Sequence, residues 1–231
     1  MKIRIAQLNI EILNRGKYLE KLCKKYISEF DKADITVEVT DDEIAAEQTA
    51  NFPADYCEAI AVYRKIGAAL PAFNGFILHA ATFRYKDRVI ALLATPGTGK
   101  STHMGHWISL FGSEIEVING DKPIVRLFDN IPFAFGTPWC GKEGLSKNTS
   151  APLTDICFIE RSEENQTVRL LNEEIALRLL NQVAIPNGSA NIIKTLDLIN
   201  LTLGSCRVWE IKCTADISSA EVSSKVILQE N

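Results

Sequence analysis

Ala94-Thr95-Pro96-Gly97-Thr98-Gly99-Lys100-Ser101 is the stretch from which the rest of this chain is read. It fits the phosphate-binding loop pattern, with Ala94 in the first glycine slot and Gly99-Lys100-Ser101 at its end. Residues 89–93 before it form an apolar run that reads as a buried strand, and residues 102–108 after it read as the start of a helix. In that context the loop from Thr95, Pro96, Gly97, Thr98 and Gly99 to Lys100, Ser101 and Thr102 would curl its backbone N–H groups around phosphates. Lys100 would reach the β and γ oxygens, and the Ser101 hydroxyl would ligate Mg²⁺. A nucleotide site is the expectation.

Composition narrows the remaining classes. The 231 residues are 46% hydrophobic and 23% charged, enough to bury a core in one large domain or one domain with an extension. A formal charge of −4 argues against nucleic acid and anionic membrane as partners, since both select basic surfaces. No window reaches the roughly 18 apolar residues of a membrane span, and the first twelve residues lack a signal peptide's apolar block, so a cytoplasmic location is expected. The six cysteines stand singly, without a Cys-x-x-Cys pair, so no metal site is expected from them.

Before residue 75 nothing reads as catalytic. Residues 2–12 alternate as a strand with a bulge near Ala6-Gln7, residues 18–27 read as an amphipathic helix, and residues 34–39 as a strand. Asp41 and Asp42 are candidate caps of a short helix, and residues 56–70 form a second helical pattern stopped by Pro71. This predicts a small α+β lobe over 1–74 beside a nucleotide-binding domain over 75–231.

In the second part residues 76–83 read as one strand with His79 in its middle, and Lys86-Asp87 as the turn into the strand that feeds the loop. Residues 115–118 are another strand, ending at Asn119-Gly120-Asp121. A carboxylate at the carboxyl end of such a strand is where α/β nucleotide-binding proteins hold Mg²⁺, which makes Asp121 the candidate; its plainer reading is a turn residue. Residues 124–128 and 131–135 read as a hairpin. Residues 136–148 have no periodicity, and in them Lys142 or Lys147 is placed to reach a phosphoryl group, against the alternative of a solvated loop with Trp139 tucked into the core. Residues 156–160 and 167–170 read as a further hairpin, 173–183 and 191–203 as helices, 206–213 as a strand, and Ser218-Ser219-Ala220-Glu221 as a capping box opening the last helix.

Leu78-His79-Ala80, the loop, Gly120-Asp121 and the stretch 208–214 occur in an order that resembles the HPr kinase/phosphorylase-related proteins, a branch of the phosphoenolpyruvate carboxykinase-like P-loop fold. The resemblance covers about residues 75–228. It implies an α/β core with a mixed sheet, ATP and Mg²⁺ as cofactors, and phosphoryl transfer to the hydroxyl of a peptide, small protein or small molecule. It further implies that Lys100 and Ser101 bind phosphate and metal, that Asp121 is the second acidic residue of the family's pair, that His79 is its active-site histidine, and that Lys142 contacts phosphate. Relatives often assemble, so a homo-oligomer is allowed. Where the family carries the first Asp of the pair, the base acting on the hydroxyl, this chain has Gly120. Asp121 doubling as ligand and base, Glu143 or His79 orienting the hydroxyl, and a protein that binds nucleotide without transfer are the alternatives.

Overall fold

A computed structural model describes residues 1–13, 16–48, 52–171 and 175–229. At the start of the chain the expected bulged strand is a hairpin: β1 (Lys2–Ile5) and β2 (Leu8–Leu13) pair antiparallel, with Ala6 and Gln7 at φ 53° and 58°. Two successive positive φ values make a turn whose twist matches that of the strands, and this turn is the slip seen in the alternation. α1 (Lys17–Cys23), β3 (Ile35–Glu38), α2 (Asp41–Ala46) and α3 (Ala54–Ala69) follow, with β3 parallel to β2. Thr40, not Asp41 or Asp42, caps α2, because its hydroxyl accepts from Glu43 N at 3.3 Å while Glu43 Oε2 accepts from Thr40 N at 2.8 Å.

The inward residues Ile3, Ile10, Ile12, Leu19 and Ile66 share one core with Ile77, Ile124 and Phe135 from later in the chain. Each fully buried Leu, Ile or Phe contributes about 1.5–3 kcal/mol, so this shared core fixes the first segment against the rest.

Residues 76–83 are two strands, not one. β4 (Gly75–Ile77) and β5 (Ala81–Tyr85) lie in different sheets, and Leu78, His79 and Ala80 form the step between them. β6 (Arg88–Leu93) is buried throughout and leads into the loop, α4 (Lys100–Phe111) and β7 (Ile115–Asn119). β8 (Ile124–Phe128) and β9 (Ile131–Phe135) form the expected hairpin, turning on Asp129 and Asn130 at φ 49° and 65°. β10 (Ser150–Pro152), β11 (Asp155–Arg161), β12 (Gln166–Arg169), α5 (Ile175–Leu180), α6 (Ser189–Ser205), β13 (Arg207–Cys213) and α7 (Ser218–Gln229) complete the chain.

The hairpin expected between β11 and β12 does not form, because β13 inserts between them, parallel to β11 and antiparallel to β12. The helix expected over 173–183 is α5, ending at Leu180, and its expected first residues fall within 172–174, outside the described residues. α6 continues past Gly204, and α7 is opened by Asp216 instead of the Ser218–Glu221 box: Asp216 Oδ1 accepts from Ser218 N at 3.0 Å.

The result is a mixed α/β architecture. A six-stranded sheet runs β12-β13-β11-β6-β5-β7, with β13, β11 and β6 mutually parallel, and a four-stranded sheet runs β10-β9-β8-β4. Alternation along β6 sends Ile90 and Leu92 to the face covered by Met104, Trp107 and Ile227, and Val89, Ala91 and Leu93 to the face covered by Leu179, Leu198 and Ile199. β7 is antiparallel to β5 and therefore runs with β6, so the loop and the residues after Asn119 emerge at the same edge. All six cysteines are free thiols. Among the described residues, no helix is long and apolar enough to cross a membrane.

Candidate active site

The loop's glycines hold conformations that side chains resist. Gly97 and Gly99 have φ of +80° and +126°, and a Cβ built on either would meet nothing within 4 Å, so the outer face of the loop is open. Thr98 N donates to Thr95 O at 3.1 Å, and the two hydroxyls lie 2.6 Å apart. His103 N donates to Gly99 O at 2.8 Å, the first i to i−4 bond of α4. The N–H groups of Lys100, Ser101 and Thr102 therefore point out of the helix start, its partially positive end. Lys100 folds back over its own loop: Nζ donates to Ala94 O at 3.2 Å and stands 3.0 Å from His79 Nε2. Burial lowers the Lys100 ammonium pKa, and Asp121 partly offsets this.

His79 lies in the step between sheets, which corrects the mid-strand position read from the sequence. Its backbone N donates to Gln182 O at 2.7 Å, and Ala80 N donates to Asp121 O at 3.0 Å. These bonds bring His79 Nε2 to 3.1 Å from Asp121 Oδ1. Asp121 is held from the other side by buried Asn119, whose Oδ1 accepts from Asp121 N at 2.8 Å and Lys122 N at 2.7 Å while its Nδ2 donates to Thr137 O at 3.0 Å. Lys122 Nζ donates to Asp121 Oδ2 at 3.0 Å. Burial alone would raise the Asp121 carboxyl, but the His79 hydrogen bond and the Lys122 ammonium outweigh it and hold the group at about 2.

Residues 136–148 contain no helix or extended strand and close over the end of β7. Trp139 Nε1 donates to Ala59 O on α3 at 3.0 Å, with its ring 5.4 Å from that of Tyr63. At the far end Ser146 Oγ lies 2.6 Å from Tyr26 OH. Between them Gly120 N donates to Leu145 O at 2.9 Å, and a Cβ on Gly120 would stand 2.8 Å from Cys140 O. Loop backbone thus fills the place where an acidic side chain at position 120 would start. Exposed Lys142 lines the same cavity as His79 and Asp121, whereas Lys147 is drawn to Glu116 on β7 at 2.9 Å and Glu143 is not among the cavity's walls.

Two cavities flank this cluster. One of about 530 Å³ is walled by the loop, Arg161 and Arg178; the other, of about 610 Å³, lies between α1, α3 and the His79–Asp121 pair, and Gln182 borders both. Arg161, Lys122 and Gln182 escaped the sequence reading. Arg161 donates from its guanidinium to Gly97 O and Thr98 O, and its position at the carboxyl end of the strand beside β6 was a usable signal once the sheet order is known. Lys122 was signalled only by adjacency to Asp121, and Gln182 by nothing local.

The open loop face, the outward N–H groups and Lys100 suit a polyphosphate, and the hard oxygens of Ser101 and Asp121 suit Mg²⁺. These residues therefore fit a magnesium nucleotide. No family model matches the chain. No curated protein matches it. Among solved structures, the HPr(Ser) kinase/phosphatase from Coxiella burnetii is similar over 43% of this chain and 66% of that one, at 10% identity and a TM-score of 0.30, a likeness that carries no argument about fold or activity.

Proposed function

We propose that this protein is an ATP- and Mg²⁺-dependent kinase-like phosphotransferase that moves the γ-phosphoryl group to a hydroxyl, with Ser or Thr of a peptide or small protein as the acceptor. The observation that carries the reading is the convergence of Lys100, His79 and Asp121 through contacts of 3.0 and 3.1 Å, beside a loop whose glycines leave its outer face open. Lys100 and the first turn of α4 would neutralise the phosphoryl oxygens. A carboxylate held at about 2 is a weak base and a good hard ligand, so Asp121 would bind metal together with Ser101. His79 would orient the acceptor hydroxyl, whose proton passes to solvent as ADP leaves, since a loose transition state asks little of a base. Bound Mg²⁺ would supply charge neutralisation on the β and γ oxygens. Lys142 would approach from the loop. We further propose residues 1–74 as a lobe packed beside a domain of residues 75–231, its core shared with Ile77, Ile124 and Phe135.

Labelled γ-phosphate offered with acceptor peptides tests this: transfer by the wild type is expected, and its loss in both Lys100→Ala and Asp121→Asn. Unchanged labelling in both variants would sink the proposal. A second reading, nucleotide binding without transfer, is favoured by Gly120, whose missing carboxylate cannot be restored without displacing Cys140 O. It predicts thermal stabilisation by nucleotide with no turnover on any acceptor.

A further inference from the structure

The larger cavity has a composition that the nucleotide does not need. In its lining, Tyr18 and Tyr56 stack edge to face with ring centroids 5.7 Å apart, and Tyr63 lies 5.4 Å from Trp139. Ile60 and Leu22 add aliphatic surface between them. His79 and Asp121 line the same cavity, so an apolar platform and the reacting groups share one cleft. The charges are uneven. Of the cations that line the cleft, Arg64 pairs with Glu47 and Lys122 with Asp121, which leaves Lys142. Among the described residues Lys142 carries no ion pair.

We propose that this cleft is the acceptor site, and that it takes a short peptide segment whose hydroxyl residue is flanked by an aromatic or large aliphatic side chain and by a carboxylate. The bulky neighbour rests on the Tyr18–Tyr56–Trp139 surface, and the carboxylate meets Lys142 at the mouth. A volume of about 610 Å³ suits a few residues in extended form, not an element of a folded partner. The proposal rests on the kinase reading for its chemistry and on the cleft alone for its specificity.

The test separates the two. Binding is read from tryptophan fluorescence, since Trp107 and Trp209 are 0% and 1% exposed and Trp139 alone borders the cleft. The probes are the pentapeptide Ala-Phe-Ser-Asp-Ala and its versions with Ala for Phe and with Lys for Asp. The first is expected to bind about tenfold more tightly than either version, and to lose about tenfold in Tyr18→Ala and in Lys142→Glu. Equal binding of all three peptides, binding untouched by both variants, or no binding at all overturns the cleft assignment. Transfer of labelled γ-phosphate and stabilisation by magnesium ATP are measured in parallel. Selective binding without either supports the ligand class and removes the kinase reading.

Discussion

Lys100 Nζ and Asp121 Oδ1 address the same atom, His79 Nε2, from 3.0 and 3.1 Å. One ring nitrogen carries either a proton or a lone pair, so it serves one of them at a time. Protonated, it donates to Asp121 and repels the ammonium; unprotonated, it accepts from Lys100 and leaves Asp121 without that donor. A phosphate gives Lys100 a better partner and releases the nitrogen to Asp121. Nuclear magnetic resonance of the three histidine rings should therefore show His79 moving on addition of nucleotide while buried His103 stays. Lys100→Ala should place His79 in the nucleotide-bound state without ligand, and wild-type signals in that variant would contradict the competition.

Position 120 gives a packing prediction. Gly120→Ala puts a methyl 2.8 Å from Cys140 O, and the loop must shift, at a cost of about 1–3 kcal/mol. Chemical denaturation measures it. A variant as stable as the wild type would mean that the loop does not press on β7.

The two lysines of the loop should differ. Lys142→Ala is expected to slow transfer about tenfold, because it removes the cation that meets the acceptor's carboxylate in the larger cavity. Lys147→Ala should change it less than about twofold, because a surface ion pair with Glu116 contributes little. Initial rates at saturating ATP compare them, and equal effects would remove Lys142 from the site.

His103 should make stability depend on pH. Burial, reinforced by His106, holds it at about 4 against an ordinary 6.5, and Ser223 Oγ lies 3.1 Å from its Nε2. The unfolded chain binds the proton more readily, so stability is full above pH 6.5 and falls as pH drops towards 4. At pH 5 the loss from this group is about 2 kcal/mol. Urea midpoints at pH 7 and 5 should differ less in His103→Gln than in the wild type, and an unchanged difference would assign the effect elsewhere.

What the sequence disclosed follows the range of the forces involved. The strand, loop and helix around Gly97–Ser101 and the Asp129-Asn130 turn are written in adjacent residues, so they could be read directly. The partner of β11 could not, because β13 lies more than forty residues later and outcompetes the nearby β12 for the same edge. Apolar pattern alone gave residues 76–83 as one strand, since a change of sheet at His79 leaves hydrophobicity intact. The candidate residues Asp121 and Lys142 were visible as types in turns and loops. Gln182, which meets His79 after α5, and Arg161, which meets the loop from β11, arrive through long-range packing that no local window contains.

Trp139 to Ala59 and Ser146 to Tyr26 tie the 136–148 segment to the first part of the chain, and with Leu145 O held by Gly120 N they leave 140–144 between them. A chain that short, pinned at both ends, can swing as a flap but cannot travel as a lid, and its reach is bounded by about 3.5 Å per residue. Both pins are set in the first seventy residues. Substitutions on α3 or at Tyr26, remote from the phosphates, should therefore change where Lys142 rests and with it the rate, leaving nucleotide affinity alone. The first seventy residues would act as the fulcrum on which Lys142 turns.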